Sequence, residues 1–225
     1  MGGQEQYNTI SLKTGGHVKN WNSCKVGNSG EDVYEKQLID LLSKSNKVLD
    51  MGCSCGEFTL EMSQYCDNLI GVDLSQEMID IANKLKNERD ICNVDFICTD
   101  SKDDVLSSYE FDLIYCRRGP TSIILNNKCL KSGGTIFGIH REGYDIVKKR
   151  LIEAGFKDIK IKEYLAYEYF NTQDDFAKFL NRLSGNIDYT DPENYEKFKR
   201  KLIEHTDGAG IFYREWRYIW KAVKP

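Results

Sequence analysis

Short apolar runs alternate along this chain with segments whose apolar residues recur at helical spacing. Glu31 to Ser43 carries Val33, Leu38, Leu41 and Leu42 at that spacing and predicts a helix. A strand over Lys47 to Asp50 follows, then a turn with two glycines and a helix over Glu57 to Tyr65. The next pair is a strand, Leu69 to Asp73, and a helix, Gln76 to Asn87. Ser75 supplies the N-cap of that helix, and Met78, Ile79, Ile81, Ala82 and Leu85 form its apolar stripe. Further strands are predicted over Val94 to Thr99, Phe111 to Cys116 and Thr135 to Ile139. A short helical stretch, Ile123 to Leu130, and a turn, Lys131 to Gly134, separate the last two. A helix over Asp145 to Ala154, ended by Gly155, leads into a long strand, Lys157 to Tyr169.

Strands alternating with helices argue for a parallel sheet covered on both faces. After Tyr169 the rhythm breaks. Thr172 to Leu183 and Pro192 to His205 read as two helices inserted at about residues 171–210, and Arg214 to Val223 reads as a final strand. Residues 1–30 are polar and contain glycine, with Trp21 as their main apolar anchor, and read as a loosely structured lead-in. Residues 31–225 read as a single domain carrying the insertion.

Composition narrows the classes. At 225 residues and 40% hydrophobic content, the chain can bury one sizeable core. A net charge of -4 offers no global field for nucleic acid, which is therefore not indicated as a partner. No apolar run is long enough to span a bilayer, and Met1 to Lys13 lacks a signal-peptide core, so no membrane association and a cytoplasmic location are expected. The eight cysteines are scattered. Cys53 and Cys55 have no second Cys/His pair at ligand spacing, so no metal is expected.

The chemistry concentrates in Val48-Leu49-Asp50-Met51-Gly52-Cys53-Ser54-Cys55-Gly56. A strand–glycine–helix turn of this kind serves nucleotide cofactors, because glycine lets the backbone come close to a ligand. A dinucleotide site uses Gly-x-Gly-x-x-Gly and sets a pyrophosphate on the helix N-terminus. Here the glycines run Gly52-x-x-x-Gly56, and Asp50 stands at the strand tip. An acid there repels a pyrophosphate and suits a cationic amino group. S-adenosylmethionine (SAM) has an ammonium, a ribose and an adenine but no phosphate, so the pattern favours SAM over NAD.

With these residues in place, the chain resembles the class I SAM-dependent methyltransferases. Val48, Leu49, Asp50, Gly52 and Gly56 match that family's first motif, with Ser54 where its middle glycine usually stands. Asp73 matches the second, followed by Leu74 to Met78 where the family packs on adenine. Asp100 and Ser101 match the third, and Phe111 to Tyr115 the fourth. The resemblance implies an α/β fold. Its seven-stranded, mostly parallel sheet carries helices on both faces, the last strand is antiparallel, and here a helical insertion precedes that strand. It also implies SAM as cofactor, bound by Asp50, Gly52, Cys53, Ser54, Gly56, Asp73, Leu74, Met78, Asp100, Ser101 and Tyr115. The alternative readings are a helix-terminal charge for Asp50, a cap for Asp73, a solvated loop acid for Asp100 and a core residue for Met78.

The acceptor is less legible. After the fourth strand stands Tyr115-Cys116-Arg117-Arg118-Gly119-Pro120, not Asn/Asp-Pro-Pro-Tyr/Phe, and there is no Pro-Cys pair. Both facts weigh against the corresponding base-directed nucleic-acid chemistries. Arg117 and Arg118 stand at the ligand-bearing edge and suit a carboxylate or phosphate, unless a neighbouring acid takes them. His140 at the next strand tip is a candidate general base, or a structural histidine. The expected acceptor is a small molecule, with an anionic group if the arginines bind it. The alternatives are RNA or protein methylation, a nicotinamide-dependent oxidoreductase, and a SAM-binding module without catalysis. The aromatic insertion reads as a lid or as residues that only pack.

Overall fold

Nine strands and six α-helices form in the computed structural model, which describes residues 19–100, 104–184 and 187–225. The strands are β1 (Ser23–Gly27), β2 (Lys47–Met51), β3 (Asn68–Asp73), β4 (Val94–Cys98), β5 (Phe111–Arg117), β6 (Leu130–His140), β7 (Lys157–Phe170), β8 (Thr206–Asp207) and β9 (Gly210–Val223). The helices are α1 (Glu31–Leu42), α2 (Glu57–Met62), α3 (Gln76–Glu88), α4 (Tyr144–Glu153), α5 (Gln173–Ser184) and α6 (Tyr195–Glu204). The described chain divides into two compact units. One holds residues 19–29 with Leu165–Trp216, the other Gly30–Tyr164 with Arg217–Pro225. Strands β7 and β9 each run from one unit into the other.

In the larger unit the sheet order is β9-β6-β5-β2-β3-β4, with β7 beside β9. Strands β3, β2, β5 and β6 pair in parallel, β4 pairs parallel to β3, and β9 runs antiparallel to β6, as expected for the last strand. From β2 the chain moves outward one way through β3 and β4. It then crosses back to β5 and moves the other way to β6. The carboxyl ends of β2 and β5 therefore bound a topological switch point, where open α/β sheets bind ligands. The core joins Tyr34, Leu38 and Leu42 of α1 to Val48, Leu69, Leu113 and Phe137 of the strands, and Tyr34 stacks on Phe137 at 4.7 Å. Each fully buried leucine contributes roughly 2 kcal/mol by leaving water.

In the smaller unit β1 pairs antiparallel with β7, from Ser23↔Phe170 to Gly27↔Ala166. The amphipathic helices α5 and α6 bury Phe176, Phe179, Leu180 and Phe198 against Phe170 and Trp21. Phe176, Phe179 and Phe198 of the insertion are thus used in a core of their own, whereas Tyr195 is exposed.

The sheet has nine strands where seven are expected. β1 lies in the stretch read as a loose lead-in; most of its residues are exposed, so no apolar alternation marks it, and backbone pairing with β7 makes it a strand. β8 is two residues long and forms a hairpin with β9. β6 begins at Leu130, and a bulge between Leu130 and Thr135 absorbs the Lys131–Gly134 turn within the strand.

Candidate cofactor and acceptor site

The turn after β2 is held from three sides. Gly52 and Cys53 both donate their N–H to the Val72 carbonyl at 2.9 Å. Ser54 donates its N–H to Asp73 Oδ2 at 2.9 Å, and Ser75 donates to Asp73 Oδ1 at 3.0 Å. Gly52, Ser54 and Gly56 have φ of 89°, 51° and 76°, left-handed values that glycine adopts without strain and Ser54 does not. A Cβ at Gly52 would stand 2.9 Å from Gly119 Cα and from Pro120 Cδ. One at Gly119 would stand 2.3 Å from the Met51 carbonyl oxygen. The glycines therefore close the turn against the protein's own Gly119-Pro120 segment across the switch point.

Asp73, half-buried, uses one N–H on each oxygen and so keeps acceptor capacity on both. A carboxylate fixed in this way at a strand tip suits a vicinal diol. Beside it Leu74 is 54% exposed, an apolar surface where an adenine ring would lie. Asp100 follows Thr99, whose N–H donates to the Asp73 carbonyl at 3.0 Å, so the tip of β4 is tied to that of β3. These groups fit the nucleoside part of SAM. Ser101 lies outside the described residues.

Four residues expected at the cofactor have buried side chains. Asp50 is 2% exposed and accepts hydrogen bonds from Thr59 Oγ1 at 2.7 Å and the Tyr115 hydroxyl at 2.9 Å. Burial raises its carboxyl pKa from 3.8 to about 6, against the Thr59 and Tyr115 hydrogen bonds and the Arg117 charge. It therefore takes up its proton at a higher pH than an exposed aspartate does, and it lies buried beneath the turn. Tyr115 is fully buried. Met78 is buried in α3 and accepts from Ser54 Oγ at 3.8 Å, as a core residue would. The Cys53 thiol is buried as well, which pushes it far above its ordinary pKa and leaves it unreactive.

His140 has both ring nitrogens engaged. Trp220 Nε1 donates to Nδ1 at 3.0 Å, so the proton resides on Nε2, which donates to the Gly119 carbonyl at 2.9 Å. Burial lowers its pKa and keeps the ring neutral. Neither nitrogen is left for an acceptor's proton, and the geometry is that of a structural histidine that positions Gly119.

The arginines gather around Glu31, the first residue of α1. Arg117 meets Glu31 Oε2 at 3.2 Å and lies 4.2 Å over the Phe58 ring. Arg217 Nε is 3.1 Å from Glu31 Oε1, and Arg118 Nε is 3.9 Å from the same oxygen. Desolvation lowers the Arg118 pKa; Glu31 opposes this, while Arg117, Arg217 and Arg141 add to it. Glu31 and Arg217 are absent from the expected site. The signal for Arg217 was a charge inside the apolar run Trp216 to Trp220, since a buried arginine requires a partner. A separate cavity of about 540 Å³ opens at the opposite edge of the strands, by Lys47, Asn68 and Asn93, and includes none of these groups.

Comparison with known proteins agrees with this geometry. Residues 48–133 match the family model described as a methyltransferase domain. The uncharacterized methyltransferase YcgJ of Bacillus subtilis is 31% identical over 93 residues, covering 41% of this chain and 37% of that protein. A ubiquinone biosynthesis O-methyltransferase of Coxiella burnetii is 30% identical over 111 residues, 46% of each chain. The chain thus spans less than half the length of these curated relatives. Among solved structures, a functionally unknown protein from Deinococcus radiodurans superposes with a TM-score of 0.70 at 21% identity, over 98% of this chain and 100% of that one.

Proposed function

We infer that this chain, whose residues 48–133 match a methyltransferase domain, is a class I SAM-dependent methyltransferase that transfers a methyl group from SAM to a small-molecule acceptor bearing an anionic group. The observation that carries this reading is the Asp73 carboxylate, fixed by the Ser54 and Ser75 N–H groups beside the glycine turn. SAM supplies an electrophilic methyl on a sulfonium. Asp73 holds the ribose, Leu74 faces the adenine, and Asp100 reaches the adenine amino group. Gly52, Ser54 and Gly56 shape the turn, while Asp50 supports it through Thr59 and Tyr115.

Methyl transfer from a sulfonium is an in-line displacement, so alignment and exclusion of water carry most of the rate. A base is required only for an acceptor that must lose a proton. With His140 engaged at both nitrogens, this favours a nucleophile already unprotonated or easily ionised. Arg117 and Arg118 support an anionic acceptor group. The acidic composition and the Tyr115-to-Pro120 sequence support a small molecule over RNA. No helix among the described residues is long and apolar enough to cross a membrane. All eight cysteines are free thiols, which supports a reducing, cytoplasmic setting.

Calorimetry with SAM, its demethylated product S-adenosylhomocysteine and NAD tests the cofactor. Binding of NAD without either adenosyl compound sinks the reading. Turnover of labelled SAM against a metabolite panel then separates an enzyme from a binding module, and parallel reactions with RNA and protein extracts test the other acceptor classes.

A further inference from the structure

We propose that the cavity at the amino ends of β2, β3 and β4 is a second small-molecule site, which takes a carboxylate with an apolar body and anchors it on Lys47. The inference goes beyond the methyl-transfer reading and does not depend on it.

The cavity follows from how β4 connects to β5. Parallel strands are ordinarily joined by a helix that covers the sheet. Among the described residues of this connection the helical part is only Asp104–Ser108, a five-residue 3₁₀ stretch. Its Leu106 is buried, whereas Ile97 of β4 is only half-buried. The strand register shows which side chains meet in the space left over. Lys47 of β2 pairs with Asn68 of β3, and Ile70 of β3 pairs with Asp95 of β4. Side chains two apart on a strand share a face, so Lys47, Asn68, Ile70, Asp95 and Ile97 all lie on one side of the sheet. Phe96 lies on the other, its ring against Gly71. These five residues line a cavity of about 540 Å³, within the roughly 300–1,000 Å³ typical of small-molecule sites.

The lining decides what fits. Ile70 and Ile97 give an apolar floor. Tyr109 forms a wall, its ring stacked on buried Phe111 at 5.5 Å and so fixed before any ligand arrives. Lys47 Nζ stands 5.1 Å from the centre of the Tyr109 ring and forms no ion pair among the described residues. The one acid of the lining, Asp95, is 77% exposed at its side chain and is already paired with Lys86 at 3.2 Å. The lining thus presents an unmatched cation, which calls for an anion. Asn93 spends its amide on the Ser63 and Cys66 carbonyls. Asn68, beside Lys47, makes no side-chain hydrogen bond among the described residues. A carboxylate accepts on both oxygens, so Lys47 and Asn68 can share it while the apolar body lies over the two isoleucines. Lys47 opens β2 and Met51 ends it, a separation of about 13 Å at about 3.3 Å per residue. A ligand held by Lys47 is therefore bound apart from the glycine turn.

Titration calorimetry with 1-naphthoate, 1-naphthalenemethanol and 1-naphthylmethylamine tests the proposal, because the three probes share one body and differ in head group. Naphthoate is expected to bind about tenfold or more tightly than the alcohol, and the amine most weakly. Lys47→Gln should remove the preference for naphthoate and leave the alcohol's affinity as it was, while Lys47→Arg should keep most of the preference. Ile97→Ala should weaken naphthoate and the alcohol alike. Saturating S-adenosylhomocysteine should leave naphthoate affinity unchanged, and urea midpoints certify that each variant is folded. The proposal is overturned if naphthoate does not bind at millimolar concentration or binds no better than the alcohol. It is equally overturned if the preference survives in Lys47→Gln, if Ile97→Ala changes neither affinity, or if S-adenosylhomocysteine displaces naphthoate. Each of those results leaves the methyl-donor reading standing. Lys47-dependent naphthoate binding in a protein that binds no adenosyl compound overturns the donor reading and leaves this site.

Discussion

Asp50→Asn isolates the free energy of holding a carboxylate beneath the glycine turn. Burial lifts the Asp50 pKa from 3.8 to about 6, so the folded protein binds this proton more tightly than the unfolded chain does. The stabilisation from the bound proton is fully present below about pH 3.8 and is lost as pH rises through about 6. A shift of roughly two units corresponds to about 3 kcal/mol of stability lost across that window. Asparagine keeps an oxygen that accepts from Thr59 and Tyr115 but carries no titrating proton. Any constant packing cost of the amide offsets the two stability curves without bending them. Urea unfolding of wild type and variant, followed from about pH 4 to pH 8, reads the difference directly. The variant should gain about 3 kcal/mol on the wild type over that range, with most of the change between pH 4 and 6. A difference that does not vary with pH, or that moves in favour of the wild type as pH rises, refutes the argument, because Asp50 would then be ionised as readily when folded as when unfolded.

Asp73→Ala should weaken S-adenosylhomocysteine binding by roughly 1.5–3 kcal/mol for each charge-assisted hydrogen bond lost, about tenfold or more in calorimetry, and an unchanged dissociation constant would remove Asp73 from the site. His140→Phe should cost about 1–3 kcal/mol in chemical unfolding, because the Trp220 N–H and the Gly119 carbonyl lose their partner, and should leave cofactor affinity intact. Turnover abolished with stability unaltered would instead assign that imidazole to the chemistry. Gly119→Ala would place a Cβ 2.3 Å from the Met51 carbonyl oxygen, a backbone contact that no rotamer relieves. A loss of about 1–3 kcal/mol is expected in thermal unfolding, and an unshifted melting temperature would show that the two segments do not touch.

Local pattern carried much of the architecture. The stripe of α3 and its Ser75 cap are written in consecutive residues, and Ser75 Oγ accepts the Met78 N–H at 3.3 Å as a cap should. The apolar runs of β2, β3 and β5 are strand-length and buried, so periodicity sufficed for them. Strand β1 lacked any such mark, because an edge strand is specified by the hydrogen-bond donors and acceptors of its neighbour rather than by its own side chains. The bulge in β6 was equally hidden: Lys131 to Gly134 has the composition of a turn, and the pairs on either side of it, Phe111↔Leu130 and Leu113↔Thr135, carry the strand across.

The site divides along the same line. Sequence alone carried the cofactor reading, since the acid–glycine turn and the spaced acids Asp73 and Asp100 are what a phosphate-free nucleoside cofactor would require of consecutive strand tips. Only the tertiary structure decided which of those residues are open to a ligand. Asp50, Tyr115, Met78 and Cys53 share the turn's neighbourhood yet lie beneath it, because burial depends on what packs above a residue and not on its place in a motif. Only the tertiary structure, too, brought Glu31 and Arg217, which are far apart in the chain, to Arg117 and Arg118. Charge couples through space, so the gathering of three arginines around Glu31 exists in the fold and in no stretch of sequence.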